Sequence, residues 1–152
     1  MISKRSLKGS EFADMTSTNR PLPKPDEDSD EFWRFCSLHE LRMQRCNTCG
    51  SFRFRPSVIC PNCLSTEASW EQLSGIAQIH SFVVVHQQMV VGYDEVPYVI
   101  ALVDLDEGPR MTTRIVDCEP NDLSIGLQVQ VTFEDCTDDI SLPVFVPSQS
   151  RV

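Results

Sequence analysis

No hydrophobic run approaches the ~20 residues that a helix needs to cross a bilayer, which excludes a helical membrane span. Glycine is scarce, with 6 in the chain, and none of them builds the Gly-rich loop that cradles phosphates. Cations are also few: 13 Lys+Arg stand against 22 Asp+Glu, a formal charge of −9. That balance speaks against a protein whose main task is gripping phosphate backbones, because such binding is driven by counterion release from a basic surface. No apolar h-region follows the basic residues at the start, so they do not read as a secretory signal and the expected location is cytoplasmic.

What is present is a chain of 152 residues, 41% hydrophobic and with 10 prolines. That suits one globular domain, or one with a small module attached, rich in turns and extended segments. Residues 1–13 end in Gly9-Ser10-Glu11-Phe12, which two adjacent cloning sites encode, and are set aside as a vector remnant. Residues 14–28 hold Pro21, Pro23 and Pro25 and then Asp26-Glu27-Asp28, predicting an extended, acidic arm. From Ser29 the pattern changes. Ser29 or Asp30 can cap a helix, and Phe32, Phe35, Cys36 and His39 recur at helical spacing through about Glu40.

Cys46-Asn47-Thr48-Cys49-Gly50 and Cys60-Pro61-Asn62-Cys63 form the strongest local signal. Two Cys-x-x-Cys knuckles place four thiolates around one ion, and the alternating Phe52, Phe54, Pro56 and Val58 between them read as a hairpin-like ribbon. Cys46, Cys49, Cys60 and Cys63 are therefore the expected ligands of one structural zinc ion, with rubredoxin-like iron as the alternative. A closed four-thiolate site stabilises rather than catalyses. Arg42, Arg45, Arg53 and Arg55 flank the knuckles, either offsetting the net charge of a zinc tetrathiolate or forming a phosphate patch. Cys36, Cys118 and Cys136 have no pattern of pairing, which fits a reducing compartment and inert thiols.

Beyond a linker at 64–73 the chain becomes β-rich. Strands are expected at 75–86, 98–105, 111–116, 127–133 and 140–146, the last at an edge because of Pro143. In the first, Ala77, Ile79, Ser81, Val83 and Val85 would share the buried face. Five strands without a crossover helix indicate a small antiparallel barrel of the OB type. The expected fold is mainly β: N-terminal helix plus zinc ribbon (29–69), OB-fold barrel (70–147) and a short tail (148–152).

This order of elements resembles a known family. Asp30-Glu31-Phe32-Trp33, Leu41, Gln44-Arg45-Cys46-x-x-Cys49-Gly50, Arg55-Pro56 and Cys60-Pro61-x-Cys63 are similar to its first half. The run from Pro97 to Arg110, Gly126-x-x-Val129 and Leu142-Pro143-x-Phe145-x-Pro147 are similar to its second. The family is the domain of unknown function 35 group, a rubredoxin-like zinc ribbon joined to an acyl-CoA-associated OB-fold. Leu64 and Ala77 stand where that group usually has Gly. The resemblance implies a partner of a thiolase-fold protein, as a small subunit or fused to a hydratase-like domain, with the catalytic residues owned by the thiolase-like subunit. Its settings are steroid side-chain aldolases that cleave acyl-CoA by retro-aldol chemistry, favoured here, and acetoacetyl-CoA thiolase assemblies. Arg53, Arg55, Arg110 and Arg114 would be the cations for CoA phosphates.

A partner role agrees with the residues. The segment 87–97 carries Met89, Val90, Val91 and Tyr93, too many apolar side chains to sit bare in water, and Phe32, Trp33 and Phe35 are similar candidates on the helix. Catalysis by the chain alone lacks a nucleophile motif. His80 and His86, expected on one strand face near Asp94 or Glu95, are the nearest approach to an acid/base site. Nucleic-acid binding, which zinc ribbons and OB barrels both support, is opposed by the acidity: only Arg110 and Arg114 serve the barrel.

Overall fold

The structure is a computed structural model and describes residues 20–148. Residues 1–19, which include the expected vector remnant and the start of the arm, and the tail beyond 148 lie outside the described residues. One helix, α1 (Asp30–Ser37), precedes a small sheet of β1 (Arg42–Cys46), β2 (Phe52–Arg53) and β3 (Ala68–Gln72). Five further strands follow: β4 (Ile76–Val85), β5 (Tyr98–Leu105), β6 (Arg110–Ile115), β7 (Gln128–Asp135) and β8 (Ser141–Pro147).

Helix α1 is short, so its stability comes from packing more than from propensity. Phe32 and Cys36, one turn apart, are its buried residues. The side chain of Ser29 does not cap the helix. Its hydroxyl instead donates to Asp26 at 2.5 Å and its amide to the same carboxylate oxygen at 2.9 Å. The arm is thereby folded into a turn that delivers the chain to α1.

β1 is the centre of the ribbon sheet, antiparallel to β2 on one side and to β3 on the other. Residues 68–72, expected within a linker, pair along the whole of β1 from Arg42↔Gln72 to Cys46↔Ala68. The ribbon sheet thus runs to Gln72, three residues past the boundary expected from sequence.

The barrel is closed in the order β4-β5-β6-β8-β7, with β7 returning to β4. Four of its pairings are antiparallel, as expected, but β6 meets β8 in parallel through Ile115↔Phe145. The barrel is therefore mixed. That contact is what closes it, with the Val116 amide donating to the Phe145 carbonyl at 2.8 Å. β8 is consequently an interior strand, not an edge. Pro143 is tolerated there because its backbone faces β6 where no ladder bond is made. The Thr113 hydroxyl donates to the Pro143 carbonyl at 3.0 Å, and the N–H that proline lacks would point to that same side.

Strand β5 alternates without a break, with Val99, Ala101, Val103 and Leu105 inward. β4 does not. A bulge between Ile79 and Ser81 inserts one extra residue, so Ala77 and Ile79 are buried before it while Phe82 and Val84 pack inward after it. Ser81, Val83 and Val85, expected on the buried face, are displaced from it, and Val83 is exposed. At the entry to β4 the backbone of Gly75 passes so close to Val131 that a Cβ there would lie 2.3 Å from its Cγ1.

The barrel core is centred on Ile79, Val103, Val129 and Phe145, and it continues without a gap into Phe32, Cys36, Leu41 and Met43 of the helix and ribbon. Each such side chain removed from water contributes roughly 1.5–3 kcal/mol. One core spans both modules and fixes the cleft between them.

Candidate functional site

The two knuckles fold alike. In the first, the Gly50 amide donates to the Cys46 carbonyl and the Cys46 amide to the Ser51 carbonyl, both at 2.9 Å; in the second, Leu64 to Cys60 and Cys60 to Ser65 repeat those bonds at 2.9 Å. Gly50 (φ 74°) and Leu64 (φ 65°) occupy the same left-handed position. The four sulfurs all lie within 4.8 Å of one another. Cys46 and Cys63 are 3.5 Å apart and Cys49 and Cys60 3.6 Å. Zn–S bonds of about 2.3 Å put tetrahedral edges at about 3.8 Å, so the donor set fits one tetrathiolate ion.

The ribbon also prepares the sulfurs as ligands. The Ser51 hydroxyl and amide bring the Cys49 thiol down to about 5, and the Cys63 and Asn62 amides lower Cys60. Cys63 receives the Ser65 amide, yet burial and the three neighbouring sulfurs carry it up to about 12. Four thiolates so close repel one another, and a bound cation removes that conflict. Elsewhere, burial pushes Cys36 up to about 12 and also raises Cys118 and Cys136, as inert thiols require.

The flanking arginines separate into different tasks. Arg45 donates to the Gly50 carbonyl at 3.2 Å and reaches Glu71 at 3.3 Å, buttressing the first knuckle. Arg42 turns away to Glu40 at 2.7 Å and over the Phe35 ring. Arg53 is buried and donates to the Ser57 carbonyl at 2.6 Å, its Nε and second Nη without partners. Arg55 is exposed and lines the cleft.

That cleft, of about 710 Å³, lies between α1, the ribbon tip and the barrel. Phe32, Trp33, Phe54, Ile100, Met111 and Val144 supply apolar walls, while Arg55 and Arg114 face it from opposite modules. Tyr98 and Ile100 line it from the outward side of β5, which explains why this strand is apolar on both faces. Of the four expected phosphate cations, the structure brings together Arg55 and Arg114. Arg110 lies elsewhere, held by Asp104 at 2.5 Å and beside His80 at 3.0 Å. This bond keeps the Asp104 carboxyl below its usual range.

The expected histidine pair is not assembled. The bulge puts His80 out of phase with the later residues of β4, where it meets Asp104 at 3.1 Å, and His86 falls past the strand end. The helix aromatics turn inward: Phe32 is buried, and Phe35 packs against Trp70 at 5.6 Å. Exposed apolar surface is found instead on the β4–β5 loop, where Met89 is 77% and Val91 66% accessible.

Sequence pattern does not mark Arg20 and Glu134, which are 114 positions apart and bonded at 2.6 Å. Glu134 also takes Arg114 at 3.1 Å. The two guanidiniums flank the Tyr93 ring, at 5.0 and 5.3 Å from its centroid. A smaller polar cavity of about 270 Å³ lies beside this cluster and shares Tyr93, Tyr98 and Arg114 with the cleft.

A four-cysteine ribbon packed on a closed barrel with strand order 1-2-3-5-4 defines a zinc-ribbon and OB-fold protein. Family models agree module by module: "ChsH2, rubredoxin-like zinc ribbon domain" matches residues 33–68 and "ChsH2, C-terminal OB-fold domain" residues 70–134. A "DUF35 domain-containing scaffold protein" of Methanocaldococcus jannaschii is 41% identical over 96 residues, 62% of this chain and 68% of that protein. The chain belongs to this DUF35 (ChsH2) family. A solved chain titled "Ltp2-ChsH2(DUF35) aldolase" superimposes with a TM-score of 0.76 at 32% identity, covering 82% of this chain and 98% of that one. Two longer relatives also match. A "Probable enoyl-CoA hydratase alpha subunit" of Thermomonospora curvata is 33% identical over 85% of this chain. A "3-oxo-4,17-pregnadiene-20-carboxyl-CoA hydratase alpha subunit" of Mycobacterium tuberculosis is 37% identical over 76% of it. The chain spans 40% and 37% of their respective lengths.

Proposed function

We propose that this chain is a non-catalytic, zinc-containing scaffold partner of a thiolase-fold aldolase. In this reading it supports assembly and shapes the entrance for an acyl-CoA substrate of a retro-aldol cleavage in steroid side-chain degradation. The observation that carries the reading is the match to the DUF35 chain of a solved aldolase over 98% of that chain's length. The steroid setting is supported by the pregnadiene-carboxyl-CoA hydratase relative. Geometry adds the exposed apolar loop, suited to a protein contact, and the cleft between modules, where Arg55 and the Glu134-paired Arg114 are the cations within reach of CoA phosphates. The bound metal is zinc with a structural role, and the thiolase-like subunit carries the chemistry. Seven cysteines without a disulfide, four of them grouped as metal ligands, support a cytoplasmic setting. Among the described residues no helix is long and apolar enough to cross a membrane.

A second reading keeps the scaffold role, the printed description of the Methanocaldococcus jannaschii relative, and assigns it to an acetoacetyl-CoA thiolase assembly. Nucleic-acid binding falls behind both, because residues 70–148 hold thirteen carboxylates against two arginines, each of them ion-paired.

Co-expression of residues 15–152 with thiolase-fold aldolases and thiolases tests the readings. The expected result is a co-eluting complex with one zinc per scaffold chain, whose aldolase activity needs this chain. Met89→Asp with Val91→Asp should abolish co-elution while zinc content and melting temperature hold. A chain that elutes alone beside every candidate would sink the proposal, and selective pairing with a thiolase would favour the second reading.

A further inference from the structure

The β4–β5 loop, residues 86–97, has two faces. Met89 and Val91 point to solvent, whereas Val90 and Tyr93 line the large cleft. A loop of this length with its apolar side chains exposed is not held by burial. What holds it is polar: Arg20 donates from Nε to the Gly92 carbonyl at 3.0 Å and lies over the Tyr93 ring, while Arg114 flanks the same ring. Tyr98 adds an aromatic contact at 5.5 Å. Glu134 ties both guanidiniums to the barrel, at 2.6 Å for Arg20 and 3.1 Å for Arg114. Arg114 sits in β6, Glu134 in β7 and Tyr98 in β5, whereas Arg20 belongs to the arm. Among these contacts to the loop, Arg20 is thus the one that comes from outside the barrel strands.

We propose that residues 86–97 are a lid over the cleft and that Arg20 is its latch. With Arg20 in place, Tyr93 stands between the apolar cleft and the smaller polar cavity beside it, its ring against Arg114. Withdrawing Arg20 leaves the loop without its Gly92 bond and with half of its cation–π contact. Tyr93 then swings out and the two cavities join, with the Arg114 guanidinium on their common wall. The lid carries Met89 and Val91 on its outer side, so a partner that docks on them couples to opening. That trigger rests on the scaffold reading; the latch itself does not.

The free full chain suffices for the test. Amide hydrogen exchange is compared in the wild type, Arg20→Ala, Arg20→Lys and Tyr93→Ala, and acrylamide quenching of Trp33, which lines the cleft, is read in a Trp70→Phe background. Arg20→Ala should speed exchange at Tyr93, whose amide donates to the Val90 carbonyl, by about tenfold and raise quenching, with β5 and β7 amides unchanged. Arg20→Lys, which keeps the charge without the fork, should fall between. Tyr93→Ala should raise quenching even with Arg20 present. Unchanged exchange and quenching in folded Arg20→Ala would overturn the latch, as would a uniform rise across β5 and β7, which marks a plain stability contact. Unchanged quenching in Tyr93→Ala would overturn the lid. Failure of co-elution with thiolase-fold proteins touches neither result.

Discussion

Leu64 is the residue at which the second knuckle departs from the first. It holds a left-handed backbone (φ 65°) where Gly50 holds the equivalent one (φ 74°), and its side chain is exposed. A leucine there carries about 1–2 kcal/mol of steric strain, partly offset because glycine has more freedom to lose on folding. Leu64→Gly should therefore stabilise the zinc-loaded protein by roughly 0.5–1 kcal/mol, read as a rise in urea midpoint at unchanged slope. Gly75 is the opposite case. Its φ of 76° and the 2.3 Å approach of Val131 Cγ1 leave no room for a methyl group. Gly75→Ala should cost about 2–4 kcal/mol, since β4 must shift or Val131 must leave its packing. A midpoint like that of the wild type would show that the entry to β4 is looser than the structure has it.

At the scale of elements, the end of α1 and the end of β7 are joined by His39, which meets Asp135 at 2.7 Å and stacks on Phe133 at 5.2 Å. The Ser141 hydroxyl, then His39, hold the Asp135 carboxyl below its usual range. A depressed carboxylate adds stability above its unfolded value near 4 and loses it as pH falls through the folded value. Asp135→Asn should thus flatten stability against pH below about 4; denaturant titrations from pH 2 to 5 would check it. Neither this joint nor the cleft is legible in the sequence, because each depends on partners dozens of residues apart. The knuckles and five strands are legible, because each is a local pattern of ligand spacing or alternation. β4 shows the limit of such patterns: Phe82, Val83, Val84 and Val85 are apolar at both parities, so nothing in them signals the bulge that turns Phe82 and Val84 inward. Pro143 shows another, since its place depends on which neighbour its missing N–H would face.

Across the whole molecule, the ribbon and the barrel share a core but differ in what sustains them. The barrel closes its own hydrogen-bond ladder and buries Phe145, Val129 and Val103 completely. The ribbon has strands of five, two and five residues and depends on the four sulfurs to hold its loops. Structural zinc contributes about 10–16 kcal/mol to comparable small sites, far more than so small a sheet can supply by burial. Chelation, or Cys60→Ser, should therefore unfold the ribbon first. Amides of β1 and β3 would lose protection by more than a hundredfold while those of β5 and β7 are retained. Because Leu41 and Met43 belong to the common core, the barrel should survive with a lower melting temperature, and zinc should restore both. Metal analysis of the same samples would show one zinc lost per chain. Should the β1 and β3 amides stay protected after the metal is gone, the shared core rather than the ion would be what holds the ribbon.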